Sequence, residues 1–112
     1  MATDPNSRGN NYVALRGVFA GEAVVRTLPS GDELVSFRVT VARPPNDRVR
    51  VDSIECASTR PLVRRGAIRC QPGDLVTLSG HLRRRFWRSP AGTPASRYEV
   101  EVTSLSRDRT KS

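Results

Sequence analysis

Residues 34–42 show the most regular alternation of apolar and polar side chains in the chain. The apolar positions of one parity are Val35, Phe37, Val39 and Val41. Because successive side chains of a β-strand point to opposite faces of a sheet, this pattern predicts a strand with one buried face. The preceding residues 29–32 (Pro-Ser-Gly-Asp) are typical of a tight turn, so we expect a hairpin tip there.

The rest of the chain is predicted to form four further strands and one short helix. The strands cover residues 12–28 with a break at Gly21, residues 49–56, residues 75–87 and residues 97–105, and the helix covers residues 58–68. Clusters of Pro, Gly, Ser and Asp predict loops near residues 44–47, 71–74 and 89–95. The elements therefore follow the order β-β-β-α-β-β.

Local patterns add detail to this assignment. Val76, Leu78, Gly80 and Leu82 share one face of the fourth strand, and Tyr98, Val100 and Val102 are expected to point inward from the last strand. The apolar phase slips between Val51 and Ile54, which predicts a bulge at residues 52–53. Thr59 is expected to cap the helix, and Pro61 suits its first turn.

The element order predicts an all-β fold, specifically a five-stranded Greek-key OB-fold barrel with one short helix between strands 3 and 4. Such barrels often bind oligonucleotides or oligosaccharides. We expect the barrel to span residues 10–106, with a flexible N-terminal arm at residues 1–9 and a flexible C-terminal end at residues 107–112.

The chain is strongly basic. It has 112 residues, with 19 Lys+Arg against 11 Asp+Glu, giving a net charge of +8. Lys111 is the sole lysine, and the other basic residues are arginines, whose planar guanidinium suits phosphate and stacks on bases. A small domain with this charge is expected to bind nucleic acid. No apolar run is long enough for a membrane span or a signal peptide, so we expect a cytoplasmic protein that contacts no membrane.

Residues for catalysis or metal binding are scarce. His81 is the sole histidine, and it has no acidic neighbour by pattern. Cys56 and Cys70 provide too few ligands for zinc, and we interpret them as buried thiols, with a disulfide possible only where their backbones come close. We therefore expect no catalytic residues, no metal and no cofactor, and a protein that is not an enzyme.

Residues 83–88 (Arg-Arg-Arg-Phe-Trp-Arg) combine positive charge with aromatic rings. In a strand, Arg83, Arg85 and Trp87 share one face, where guanidiniums could meet phosphates and a base could stack on the indole. Phe86 has the opposite parity, which favours packing for its ring, but as the aromatic residue adjacent to Trp87 it is also a candidate binding residue. The alternative for the whole face is that Trp87 packs on the neighbouring strand and the arginines are merely solvated.

A second candidate set lies on the first two strands. Arg16 and Arg38 occupy the polar faces of these strands, and Arg43 follows the second strand. If the strands pair, these arginines extend a positive track, whereas ordinary solvated arginines would explain the pattern equally well. The arginines of the helix region are expected to form a solvated face.

Taken together, the motifs resemble those of the bacterial single-stranded DNA-binding protein family. The matching segments are residues 11–17 (NYVALRG), residues 25–31 (VRTLPSG), residues 37–41 (FRVTV), residues 72–85 (PGDLVTLSGHLRRR), and the closing hairpin with Trp87, Gly92, Arg97, Tyr98 and residues 99–102. The resemblance covers about residues 10–106. It implies an OB-fold that binds single-stranded DNA without sequence preference in replication, recombination and repair.

The resemblance also implies partners and binding residues. Family members usually form homotetramers, so we expect self-association, to a dimer if not to a tetramer. The binding residues carried over by position are Arg26, Arg83, Arg85 and Trp87. Arg8 and Tyr12 lie at further positions that are basic in well-known members. The basic end of the chain at residues 107–112 lacks an acidic tip, so we do not expect recruitment of repair proteins through such a tail.

The chain departs from the family pattern at several stacking positions. Ser53, Thr59 and Pro45 stand where aromatic residues often occur, and Glu55 stands where a basic residue is common. With less stacking, binding should depend more on arginine and be more sensitive to salt. Two alternatives remain: an RNA-binding or primosome-type OB-fold module, and a protein-interaction OB module whose basic face meets an acidic partner.

Overall fold

A closed five-stranded sheet dominates the structure, a computed structural model that describes residues 9–108. Its elements are β1 (Val13–Thr27), β2 (Glu33–Ala42), β3 (Val51–Ser58), α1 (Pro61–Arg69), β4 (Leu75–Arg88) and β5 (Pro94–Arg107). The strands neighbour one another in the order β1-β2-β3-β5-β4, and β3 pairs with β5 in parallel. This topology confirms the predicted all-β OB-fold barrel with a helix between β3 and β4.

Strand β1 closes the barrel because it pairs with two neighbours. Its first half, from Val13 to Val18, pairs with β4, and its second half, from Val18 to Thr27, pairs with β2. The register with β2 shifts between Ala20 and Val24, where Gly21 has a φ of +74°. The predicted break at Gly21 is therefore an irregularity within one continuous strand, and it lies in the segment that pairs with β2.

The core lies inside the barrel and under the helix. Its buried members include Phe19, Val35, Phe37, Val39, Cys56, Val63, Ala67, Val76, Leu78, Val100 and Val102. The Phe19 and Phe37 rings stack with centroids 5.3 Å apart. The alternating positions of β2 thus point inward as predicted, and Val63 and Ala67 attach α1 to the barrel.

Gly80 marks a place where two strands approach closely. A Cβ atom at Gly80 would lie far inside contact distance of the Glu101 carbonyl oxygen and 3.0 Å from Val102 Cα. The register between β4 and β5 shifts between Ser79 and Gly80, beside this contact. Glycine is required here because any side chain would meet backbone, which cannot move aside cheaply.

Two local predictions are wrong. The register between β2 and β3 is unbroken from Val35↔Ser58 to Ala42↔Val51, so β3 has no bulge at residues 52–53. The apolar phase slipped because Val49 lies outside the strand and Val51 faces solvent. Thr59 does not cap the helix: Arg60 occupies the N-cap without a side-chain hydrogen bond.

The ends of the domain are partly visible. Strand β5 runs through Arg107, and the backbone N–H of Asp108 donates to the Leu75 carbonyl at 2.8 Å. The predicted N-terminal arm up to residue 8 and the end from residue 109 lie outside the described residues, and the domain boundaries stay predictions. No helix in residues 9–108 is long and apolar enough to cross a membrane.

Candidate nucleic-acid interface

Strands β4 and β5 continue beyond the barrel as a two-stranded ribbon. The pairing of β4 with β1 ends at Gly80, and the pairing of β5 with β3 begins at Val100. We call the ribbon between these limits, residues 82–99, the hairpin arm. Its tip is a turn in which Ser89 N–H donates to the Thr93 carbonyl at 2.9 Å and Gly92 has a φ of +85°. Within residues 9–108 no third strand pairs with the arm, and side chains on both of its faces are exposed, among them Trp87 on one face and Phe86 on the other.

One face of the arm, the Trp87 face, carries the predicted binding residues. Its members are Arg83, Arg85 and Trp87 of β4 with Arg97, Glu99 and Glu101 of β5. The indole is 46% exposed, and the guanidinium carbon of Arg97 lies 5.8 Å from its ring centroid. The structure therefore places Arg83, Arg85 and Trp87 together on one side of the arm.

Carboxylates hold the arginines of the Trp87 face in place. Arg83 Nε donates to Glu101 Oε1 at 2.7 Å, and Arg85 Nε donates to Glu99 Oε2. Glu99 is only 5% exposed, so its charge requires the nearby guanidiniums of Arg85 and Arg97. The hydrogen bond from Arg83 holds the pKa of Glu101 below its ordinary value. The two ion pairs therefore fix the orientation of Arg83 and Arg85 on the Trp87 face.

The opposite face, the Phe86 face, consists of Leu82, Arg84, Phe86, Arg88, Ser96 and Tyr98. Phe86 is 73% exposed and Tyr98 is 58% exposed. The predicted packing of Phe86 and the predicted inward position of Tyr98 are wrong, and Leu82 is also exposed. These side chains continue the inward parity of the barrel strands, but the arm extends past the barrel, where no facing strand of the described residues covers them.

Tyr12 lies at the base of the arm. The side chain of Asn11 bridges to β4, donating from Nδ2 to the Leu82 carbonyl at 2.8 Å and accepting from the Leu82 N–H at 2.8 Å. These bonds extend the contact of the β1 segment with β4 past Val13, and the neighbouring residue Tyr12 is exposed. Arg8, the other N-terminal candidate, lies outside the described residues.

The remaining candidate arginines do not join the arm. Arg16 lies opposite Thr77, toward the other end of β4, and binds Asp108 at 2.7 Å. Arg38 is exposed and lies opposite Glu55.

Arg26 is exposed near the hairpin tip between β1 and β2, opposite Leu34. Arg43 is neutralised by Asp47 at 2.7 Å and by Asp52 at 2.9 Å. The hypothetical track from Arg16 through Arg38 to Arg43 is therefore interrupted by carboxylates.

The family of the chain follows from comparison with known proteins. The model of the single-strand binding protein family matches residues 10–108. The chain belongs to this family. A solved structure described as the Plasmodium falciparum SSB complex with ssDNA aligns with a TM-score of 0.77 and 19% identity, covering 91% of this chain and 97% of that chain. A search of curated protein sequences returned no match.

In this single-strand binding family member, the hairpin arm also exposes Tyr98, a ring that was expected to point inward. Sequence reasoning missed Arg84, Arg97 and Tyr98, although their alternation with Phe86 and Trp87 was visible. The signal that could have found them is cross-strand pairing: Arg84 lies opposite Tyr98, and Arg85 lies opposite Arg97.

The groups considered for catalysis and metal binding lie apart from the arm's tip. Cys56 and Cys70 are free and buried, as expected, and burial raises the pKa of the Cys56 thiol to about 12. His81 has an acidic neighbour that the pattern did not predict, because Glu101 lies opposite it. Within residues 9–108, no group of three or more His, Cys, Asp or Glu side chains could hold a metal ion.

Proposed function

We propose that this protein binds single-stranded DNA without sequence preference through the Trp87 face, and that it serves replication, recombination and repair in the cytoplasm. The observation that carries the proposal is the half-exposed indole of Trp87, which sits on the hairpin arm among Arg83, Arg85 and Arg97. Membership of the single-strand binding family supports the same ligand class.

The chemistry of the face suits a flexible, unpaired strand. Every base has a flat π-face, so stacking on Trp87 tolerates any sequence and contributes roughly 1–3 kcal/mol per base. Guanidiniums pair with phosphate oxygens through parallel hydrogen bonds. Arg26 and Arg38 would contact the DNA strand where it leaves the hairpin arm. Tyr12 would contact the DNA at the barrel end of the arm.

The two ion pairs of the Trp87 face compete with DNA phosphates for the same arginines. A phosphate that approaches Arg83 competes with Glu101, and one that approaches Arg85 competes with Glu99. With one tryptophan on the face, electrostatic contacts supply a large share of the affinity. Binding is therefore expected to weaken steeply with salt, since each phosphate contact releases condensed counterions.

Self-association to a homotetramer, or otherwise a dimer, belongs to the same proposal. Residues 13–17 of β1 pair with β4 along one edge, and in the described part of the chain no strand pairs with their other edge. An unpaired strand edge is a template for pairing with another chain. Sedimentation at micromolar concentration tests this point: a tetramer or dimer is expected, and a monomer alone would contradict it.

The function is tested by fluorescence anisotropy with three labelled ligands of equal length: oligo-dT, oligo-rU and a DNA duplex. We expect saturable binding of oligo-dT at low salt, with the duplex and oligo-rU bound more weakly. Preferential binding of oligo-rU would favour an RNA-binding or primosome-type module. No binding of any of the three would favour a protein-interaction module and overturn the proposal.

A further inference from the structure

The Phe86 face contains an arginine sandwiched by two exposed rings, and the proposed function does not use it. The Arg84 guanidinium carbon lies 5.1 Å from the Phe86 ring centroid and 5.3 Å from that of Tyr98. Nε and Nη2 of Arg84 donate to Ser96 Oγ at 3.2 and 3.0 Å. These contacts hold the guanidinium against both rings, and both rings remain largely exposed.

Charge is distributed unequally between the two faces of the arm. Both carboxylates near the arm, Glu99 and Glu101, pair with arginines of the Trp87 face. The Phe86 face carries Arg84 and Arg88, and the sequence from residue 82 to residue 98 contains no acidic residue. Arg84 bonds to a neutral hydroxyl, and Arg88 Nη1 donates to the Gly92 carbonyl at 2.9 Å. The Phe86 face therefore keeps its positive charge and is complementary to an anion.

We propose that the Phe86 face is a second contact surface for single-stranded DNA, with bases stacked on Phe86 and Tyr98 and phosphates paired with Arg84 and Arg88. This inference rests on the proposed function. The Phe86 face would be a second DNA-binding surface on the same arm. The DNA strand would pass over an edge of the hairpin arm and contact both of its faces. Alternating rings and guanidiniums match the alternation of bases and phosphates along a single strand.

A tryptophan swap tests the surface directly. Trp87 is the sole tryptophan, so the double variant Phe86→Trp/Trp87→Phe moves the fluorescent side chain from the Trp87 face to the Phe86 face and keeps an aromatic ring at both positions. When oligo-dT is added, we expect saturable quenching of the swapped tryptophan. Binding detected by anisotropy with unchanged tryptophan emission would overturn the inference and leave the proposed function standing.

Affinity measurements provide an independent readout. Phe86→Ala/Tyr98→Ala should weaken oligo-dT binding about fivefold or more, and Phe86→Tyr should bind like the wild type because it keeps the ring. Leu62→Ala is the matched control, since Leu62 lies on α1 and is 76% exposed. Equal affinity of the double alanine variant and the control would overturn the inference, as would a change in sedimentation state without a change in affinity. Absence of oligo-dT binding by the wild type would instead remove the proposed function itself.

Discussion

Arg83 and Glu101 form an ion pair across β4 and β5, with 2.7 Å between Arg83 Nε and Glu101 Oε1, on the face of the hairpin arm that carries Trp87. The same hydrogen bond holds the pKa of Glu101 below its ordinary value, so the carboxylate is charged throughout the neutral range. An arginine proposed to bind phosphate is thus already occupied by an anion of the protein. This pairing fixes the orientation of the guanidinium, and under the proposed function we expect it to lower the affinity of the face for DNA.

Glu101→Gln should strengthen binding of single-stranded DNA. Removing the carboxylate frees Arg83 and removes a negative charge beside the phosphates. Since exposed ion pairs contribute about 0.2–1 kcal/mol, we expect oligo-dT affinity to rise by up to about fivefold at low salt. Anisotropy titration measures the change. Glu33→Gln is the matched control, because Glu33 pairs with Arg64 at 3.5 Å on another part of the surface. Equal affinities of the two variants would contradict the account.

Trp87→Ala should weaken oligo-dT binding more than Arg64→Ala does. The indole provides a stacking surface on the arm, and its loss removes about 1–3 kcal/mol of binding free energy. Arg64 lies on α1 and is neutralised by Glu33. Anisotropy gives the affinities, and thermal unfolding confirms that both variants remain folded. Equal losses of oligo-dT affinity in the two variants would indicate that the helix, and not the arm, carries the DNA-binding residues.

Gly80→Ala should destabilise the fold, whereas Gly66→Ala should not. The new methyl group at position 80 would overlap the Glu101 carbonyl, and overpacking against backbone costs about 1–3 kcal/mol. At position 66 it would meet Leu105 Cδ2 at 3.6 Å, an ordinary contact, and alanine favours the helix by up to about 1 kcal/mol. Urea unfolding measures both free energies. A stable Gly80→Ala variant would contradict the close approach of β4 and β5.

The free energy of unfolding should fall between pH 8 and pH 10, with Cys56 as one cause. Burial raises the pKa of its thiol to about 12 in the fold, while the unfolded thiol ionises near pH 8.5. Stability from this group is complete below the unfolded pKa and is lost as pH rises toward the folded pKa. The loss is about 2 kcal/mol by pH 10.

Cys56→Ala should remove this part of the pH dependence, as measured by urea unfolding at pH 8 and pH 10. Cys70→Ala should have a smaller effect. Burial also raises the pKa of Cys70, but the positive charge of Arg107 opposes that shift. An unchanged pH dependence in Cys56→Ala would contradict the burial of this thiol.

The barrel was predictable because its strands follow a rule of period two. Val35, Phe37 and Val39 alternate with polar residues, and all three are buried. The same rule failed for Phe86 and Tyr98, because parity tells which side of a strand a residue occupies but not how far the barrel extends along it. The ion pair of Arg83 with Glu101 joins residues on two strands, and its formation depends on a register that the sequence pattern does not specify.

The most direct test of the central claim is the intrinsic fluorescence of Trp87 during titration with oligo-dT, repeated from low to moderate salt. We expect saturable quenching, because a stacked base lies against the sole indole. If Arg83, Arg85 and Arg97 each contact a phosphate, a plot of the logarithm of the binding constant against the logarithm of salt concentration should have a slope of about −2. Oligo-dT binding that leaves Trp87 emission unchanged would contradict the account.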